Sequence, residues 1–295
     1  MHTHLNSRFR IVLVGMVAVA AAFSASCYAD AENSLAVVNA VLSSSEDGPA
    51  VSSDYRFLPG DTIYFSFEIA GFAVHTENNG EIKKISLSYE ITAQDDAGKP
   101  LADPANGGIQ TDLSPEDKNW VPKRRASFLL PSYVAAGSFH IHAAVKDLFA
   151  RTETTRDFPF LLGGVQLTPA SSVTIENFRF LRSENDTEPL NVPAYSPGDT
   201  VYARFEMTGF QIGPDNHPHV AYGVTVLDPN GKAFLRDPEA AGLDSGGTYP
   251  AQFIPGNIAL KMDKNNAHGQ YSVVVKAHDL LAKQTYELKQ SFSIE

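Results

Sequence analysis

Apolar and polar residues alternate along most of the chain. Ile63, Phe65, Phe67 and Ile69 fall on one face of a strand, with Tyr64, Ser66 and Glu68 on the other. Val201, Ala203, Phe205 and Met207 repeat the pattern 138 residues later, and Tyr202 and Glu206 take the outward positions. A second alternating run puts Ile85, Leu87, Tyr89, Ile91 and Ala93 on one face; Val220, Tyr222, Val224 and Val226 form its counterpart. A period of two is the mark of a half-buried strand. Gly- and Asp-rich turns follow at 95–98 and 228–231, where residues of positive φ let a chain reverse. Further strands are expected near 35–42, 124–130, 138–146 and 152–162, with counterparts near 173–182, 256–262, 270–278 and 284–294. Single helical turns are expected at 115–119 and 238–242, and no longer stretch has a helical period. About seven short strands per repeat, without crossover helices, predict an all-β chain of antiparallel sheets packed face to face.

The pattern is written twice. Residues 34–72 align without a gap on 172–210, matching Asn39 with Asn177, Ser45-Glu46 with Ser183-Glu184, and Pro59-Gly60-Asp61-Thr62 with Pro197-Gly198-Asp199-Thr200. Tyr64, Phe67-Glu68 and Gly71-Phe72 recur as Tyr202, Phe205-Glu206 and Gly209-Phe210. With small gaps the match continues through Gly98-Lys99 and Gly231-Lys232, Asp103-Pro104 and Asp237-Pro238, Asp147-Leu148 and Asp279-Leu280, and Phe160 and Phe292. The expected organisation is a sandwich over 30–163, a linker over 164–171 and a second sandwich over 172–295, a duplication of one domain-sized module.

The first 29 residues read as a secretory signal. Arg8 and Arg10 precede an apolar run at 11–23, too short to span a bilayer, and Cys27-Tyr28-Ala29 fits small-x-small cleavage before Asp30. The alternative is a lipoprotein anchored through Cys27, which closes the lipobox-like Ser24-Ala25-Ser26-Cys27. Either route exports the chain, to the periplasm or beyond. Cleavage leaves 21 basic and 34 acidic residues, a net charge of −13 against −11 for all 295 residues. A surface this acidic repels phosphate backbones, so nucleic acid is excluded as a partner. The single cysteine excludes an intramolecular disulfide, and no later segment is apolar for long enough to form a transmembrane helix.

The ladder Pro59-Gly60-Asp61-Thr62 with Tyr64, Phe67 and Gly71-Phe72, the Gly98-Lys99 turn and Asp147-Leu148-Phe149-Ala150, all repeated, resembles bacterial immunoglobulin-like, fibronectin-III-like or macroglobulin-like sandwich modules. The resemblance implies two tandem Ig-like sandwiches acting in binding, spacing or adhesion. It also implies a tyrosine corner at Tyr271, where the first repeat has Phe139 instead. No Cys-Trp-Cys core is present, which excludes an antibody-type domain.

Candidate chemistry is sparse. Tyr64 and Tyr202 face outward on equivalent strands, as cross-strand packing or as contacts for a sugar or a protein, since a Tyr ring is flat and apolar with a polar tip. Trp120 and Tyr249 lie in corresponding long loops, as anchors for a partner or as plugs in the end of a sandwich. His140 and His142 share a strand face, and His217 and His219 flank a loop with Asp215; both sets have ligand types that suit Zn2+. Asp61 and Asp199 follow a Pro-Gly turn and are expected to accept its backbone N–H groups. Asp147 with Glu77 and Glu81, and Asp279 with Asp215, are hard oxygen sets of the kind Ca2+ takes. No cofactor is assigned. No nucleophile elbow, phosphate loop, dinucleotide fingerprint or zinc-protease motif occurs. The sequence reading is an exported, non-catalytic binding or adhesion module for an envelope or extracellular protein or glycan. Its alternative is a structural spacer or accessory subunit of an envelope complex, and after that a metal-binding protein or enzyme.

Overall fold

A computed structural model describes residues 34–77, 82–114, 117 and 120–295. The signal segment, Cys27, Glu81 and all of the 115–119 turn except Asp117 lie outside these residues.

The described chain is all-β. In order the strands are β1 (Ala36–Ser43), β2 (Arg56–Phe57), β3 (Thr62–Ala70), β4 (His75–Glu77), β5 (Ile82–Gln94), β6 (Ala105–Leu113), β7 (Lys123–Leu129), β8 (Gly137–Asp147) and β9 (Thr152–Leu162). The second series is β10 (Thr174–Leu181), β11 (Ala194–Tyr195), β12 (Thr200–Thr208), β13 (His219–Leu227), β14 (Ala233–Asp244), β15 (Ile254–Lys261), β16 (Gly269–Asp279) and β17 (Gln284–Ile294). They form four sheets in two pairs. The first pair joins β1-β3-β7 to β2-β9-β8-β5-β4, with β6 also on β5. The second joins β10-β12-β15 to β11-β17-β16-β13-β14. Every pairing is antiparallel except the two-residue contacts of β2 with β9 and β11 with β17.

The alternation read from the sequence decides what is buried. Ile63, Phe65, Phe67 and Ile69 of β3 point into the first core, and Val201, Ala203, Phe205 and Met207 of β12 into the second. Burying each of the larger side chains is worth about 1.5–3 kcal/mol. The Pro-Gly turns launch β3 and β12. Gly60 and Gly198 have φ of +87° and +91°, which only glycine adopts without strain. Asp61 and Asp199 accept N–H bonds from Leu58 and Ser196 at 2.8 and 2.9 Å, as their position predicts. Asn39 and Asn177 are left-handed, at φ 47° and 52°, and each sits where the pairing of β1 with β3, or β10 with β12, slips. That is a β-bulge, and Asn is among the few side chains that tolerate it. The Tyr271 hydroxyl donates to the Ala267 carbonyl at 2.9 Å, the back-bond of a tyrosine corner.

Two strands depart from the sequence reading. The 103–121 segment, expected as a loop, contains β6, and the helical turn expected at 238–242 is part of β14. Each pairs with a single neighbour, β5 or β13. An edge strand with one bonded side tolerates Gly107-Gly108, or the Pro238 that stands at a bulge opposite Tyr222 and Val224, so no alternation marks it. The free edges of the small sheets differ in kind. β7 carries Lys123, Arg124 and Arg125, whereas β15 carries Pro255 and Gly256.

The two pairs meet end to end. Tyr249 leaves the second pair and buries its ring, 8% exposed, in the core of the first. Its hydroxyl donates to Asp95 Oδ2 at 3.1 Å and accepts from Gln252 Nε2 at 3.2 Å. Gln252 also bonds the backbone of Tyr133 at 2.8 Å and Ala135 at 2.6 Å. Lys99 Nζ reaches Asn216 Oδ1 at 2.9 Å, and the Tyr133 and Phe253 rings lie edge to face.

Burial raises the Tyr249 phenol from its ordinary 10 to about 12, with Asp95 adding to the shift, and burial likewise raises Tyr195 to about 12. A folded-state pKa above the unfolded value stabilises the fold fully below pH 10, and the gain drains away as pH rises through 12. Thermal melts are therefore expected to fall in temperature across that window, in step with phenolate absorbance. Tyr249→Phe is expected to flatten part of the fall. A melting temperature constant from pH 10 to 12 would contradict this.

Candidate functional site

The outer face of β1-β3-β7 carries a groove of about 430 Å³. Its floor is built from the outward positions that alternation creates, Tyr64 and Ser66 on β3 with Arg125 and Ser127 on β7. Its wall is the loop after β1, with Glu46, Asp47 and Gly48. That loop is held by Gly48 N–H to the Ser45 carbonyl at 3.1 Å and Val51 N–H to the Leu42 carbonyl at 2.9 Å. Arg125 Nη2 meets Asp47 Oδ1 at 2.8 Å and ties floor to wall. Both ends of this ion pair are solvent-exposed, so it shapes the groove more than it stabilises the fold.

The second pair carries the same groove in a filled form. Tyr202 stands in place of Tyr64, but Arg204 stands in place of Ser66. The Arg204 guanidinium donates to the Glu184 and Asp186 carbonyls of the equivalent loop, which leaves about 220 Å³. Asn257 replaces Arg125 there, because Arg204 pairs with Asn257 as Ser66 pairs with Arg125. A facing pair of substitutions, Ser66 and Arg125 in one copy and Arg204 and Asn257 in the other, separates the wider groove from the narrower one.

The other candidate residues are placed as follows. Tyr64 and Tyr202 are partly buried on outward faces and line the two grooves. Trp120 is 37% exposed at the opposite end of the first pair from Tyr249's socket. Tyr249, read from the sequence as a partner anchor or as a plug in the end of a sandwich, is enclosed in the junction, where its ring fills the end of the other copy's core. His142 Nδ1 lies 2.7 Å from Asp157 Oδ1, and His140 Nε2 3.0 Å from Gln94 Nε2. His217 and His219 turn towards Asp244, at 2.7 and 3.9 Å, rather than towards Asp215. Asp244 ends β14, the strand that the sequence pattern hid. Among the described residues no group of three or more His, Cys, Asp or Glu is placed to hold a metal ion.

Of the carboxylates read as Ca2+ candidates, Asp147, Asp279 and Glu77 are each engaged by other partners. Asp147 and Asp279 are each 1% exposed and saturated by backbone donors. Asp147 accepts from Phe149, Ala150 and Ala73 at 2.9, 3.0 and 2.5 Å. Asp279 accepts from Leu281, Ala282 and Gln211 at 3.0, 2.9 and 2.7 Å. Each pins the hairpin tip to the loop after the Gly-Phe pair. Glu77 is engaged with Lys84 at 2.6 Å, and that bond holds its carboxyl below the usual range.

No family model and no curated protein matches the sequence. Solved structures similar to the chain include the C-terminal domain of the antigen I/II-family protein AspA of Streptococcus pyogenes. It is 10% identical, with a TM-score of 0.28, covering 86% of this chain and 98% of that one. The C-terminal domain of the AgI/II polypeptide BspA of Streptococcus agalactiae is 11% identical, with a TM-score of 0.29, over 86% and 99%. Likeness at this level does not extend to function. No described helix is long and apolar enough to cross a membrane.

Proposed function

We propose that the protein is an exported, non-catalytic recognition module that binds a glycan or protein of the cell envelope or exterior through the open groove of its first sheet pair. The single observation behind this reading is the difference between the two copies. A groove that Arg204 narrows in one copy and Ser66 leaves open in the other offers room for an occupant from outside the chain. Its lining suits a hydroxyl-rich ligand: the Tyr64 ring offers a flat face for a sugar ring, while Ser66, Ser127, Arg125 and Glu46 offer donors and acceptors around it. Export rests on the composition of residues 1–29.

The test is binding of the chain from Asp30 onward to a panel of soluble oligosaccharides and envelope proteins. Tyr64→Ala is expected to weaken binding about tenfold or more, the loss of one stacking contact. Ser66→Arg, which builds the second copy's plug into the first, is expected to abolish it with the melting temperature unchanged. Arg204→Ser is expected to leave it undiminished. Binding that survives Ser66→Arg would remove the groove from the proposal, and no saturable binding at all would leave the spacer reading in its place.

A further inference from the structure

β7 closes the small sheet of the first pair and is bonded on one side only, to β3. The Leu130 N–H donates to the Asp61 carbonyl at 2.8 Å, and the Ile69 N–H to the Pro122 carbonyl at 3.1 Å. In an antiparallel ladder of unbroken register these two bonds fix the parity. Arg124, Ala126 and Phe128 turn their backbone groups to β3; Lys123, Arg125, Ser127 and Leu129 turn theirs away from the sheet. The Lys123 carbonyl accepts from Arg124 Nη1 at 2.8 Å. The four outward N–H groups and the other three carbonyls meet no described residue. Side chains alternate in step with the backbone, so the same four residues present theirs on the exposed outer face, Leu129 at 65% exposure.

β15 has the same place in the second pair, and there the edge is closed. The Met262 N–H on the Asp199 carbonyl, at 2.9 Å, sets the same parity. Phe67 pairs with Arg124 as Phe205 pairs with Gly256, so Pro255 stands in the place of Lys123 and Asn257 in that of Arg125. Pro255 has no N–H to offer. The Tyr222 hydroxyl takes both outward groups of Asn257: it donates to the carbonyl at 2.9 Å and accepts from the N–H at 3.3 Å. Tyr89 is the counterpart of Tyr222, its ring edge to face with Phe67 as that of Tyr222 is with Phe205. The Tyr89 hydroxyl lies instead over Gly107 of β6 and bonds no described residue. One copy caps its closing edge, and the other leaves it open over four residues.

We infer that the open edge of β7 binds an extended acidic segment of a partner protein, which adds to the small sheet as a further strand. The inference goes beyond the groove and does not depend on it. Main-chain bonds to four alternate residues supply the affinity, and the side chains opposite Lys123 and Arg125 supply the selection. Lys123-Arg124-Arg125 is the one run of three basic residues in a chain of net charge −11. Opposite charges directly across a strand pair stabilise it and like charges weaken it. Arg125 already holds one carboxylate, Asp47 Oδ1 at 2.8 Å. With the added strand antiparallel, as β1 and β7 are to β3, the recognised pattern is apolar, small polar, acidic, acidic at every second position. These residues face Leu129, Ser127, Arg125 and Lys123 in turn.

The test is titration of the chain from Asp30 onward with the end-capped peptide Thr-Val-Thr-Thr-Thr-Glu-Thr-Glu-Thr, up to about 1 mM. Saturable binding is expected. Amide exchange is expected to slow at Lys123, Arg125, Ser127 and Leu129 and to stay as it was at Arg124, Ala126 and Phe128, whose N–H groups β3 already holds. The same peptide with Lys for Glu is expected to bind about tenfold more weakly. Lys123→Pro gives β7 the residue that β15 has there and is expected to weaken the acidic peptide about tenfold; Lys123→Met keeps the N–H and is expected to weaken it about threefold. Arg125→Glu is expected to invert the preference between the two peptides. Should Lys123→Pro fold poorly, Ser127→Pro removes another of the four donors. Ser66→Arg is expected to leave peptide binding intact while it closes the groove, so the two readings fail separately. No saturation by the acidic peptide, equal binding of the lysine peptide, or a Lys123→Pro protein that binds as the wild type does would each overturn the inference. So would a chain that associates with itself through this edge, seen as an average mass that falls in Lys123→Pro.

Discussion

Tyr249→Ala is expected to cost the first sheet pair about 3–5 kcal/mol, the range for truncating a buried aromatic side chain. The ring fills the end of a core to which it does not belong by chain position, so its loss leaves a cavity among residues that cannot follow it. The same change removes the hydroxyl that joins Asp95 to Gln252. Calorimetry is expected to turn from one cooperative transition into two, with the first pair melting early and the second near its original temperature. Tyr249→Phe keeps the ring and loses only the hydroxyl, for about 1 kcal/mol. A Tyr249→Ala protein that still melts once, at the wild-type temperature, would show that the ring does not hold the two pairs together.

Asp147→Ala and Asp279→Ala are each expected to cost about 3–5 kcal/mol. Each buried carboxylate satisfies three backbone N–H groups, and leaving a buried donor without an acceptor costs about 1–3 kcal/mol apiece, less where water can enter. Asn in either position keeps one acceptor oxygen and is expected to recover a minority of the loss. Denaturant titration gives the magnitude. Amide exchange gives the place: protection of Ala73, Phe149 and Ala150 is expected to collapse in the Asp147 variant, and that of Gln211, Leu281 and Ala282 in the Asp279 variant. Because these oxygens are already taken, chelators and added Ca2+ are expected to leave the wild-type melting temperature where it is. A rise of several degrees with Ca2+ would contradict this account of both residues.

Much of the architecture could be read before the structure. Strands that face a core on one side and solvent on the other must alternate, which is why β3, β5, β12, β13 and β16 stand out in the sequence. β6 and β14 do not, because they bury almost nothing: one residue of β6 is buried and none of β14. Pro238 and Gly242, which mark a break elsewhere, fit within β14. The match of Asn39 with Asn177 was visible, but its reason, a left-handed residue in a bulge, belongs to backbone geometry. Glu68 and Glu206 look alike in the alignment. One is bonded to Asn39 and partly exposed, and the other is 3% exposed under Arg179, whose counterpart in the first copy is Val41. The groove was half legible. Tyr64 was found by alternation, but the importance of Ser66 appears only when Arg204 is seen lying across the equivalent space. Tyr249 was found as an aromatic in a loop, and nothing local to that loop says which core it enters.

The unlike free edges of β7 and β15 bear on how the chain is made. A duplicated module faces a hazard that a single one does not: while both copies are incompletely folded, a strand of one can take the place of its counterpart in the other. β7 and β15 fill the same slot, beside β3 and β12. Arg125 of β7 would lie opposite Arg204 if β7 took the place of β15 beside β12. The second copy thus disfavours the first copy's closing strand by setting like charges against each other. Divergence at those positions keeps two related halves, synthesised one after the other, from exchanging parts.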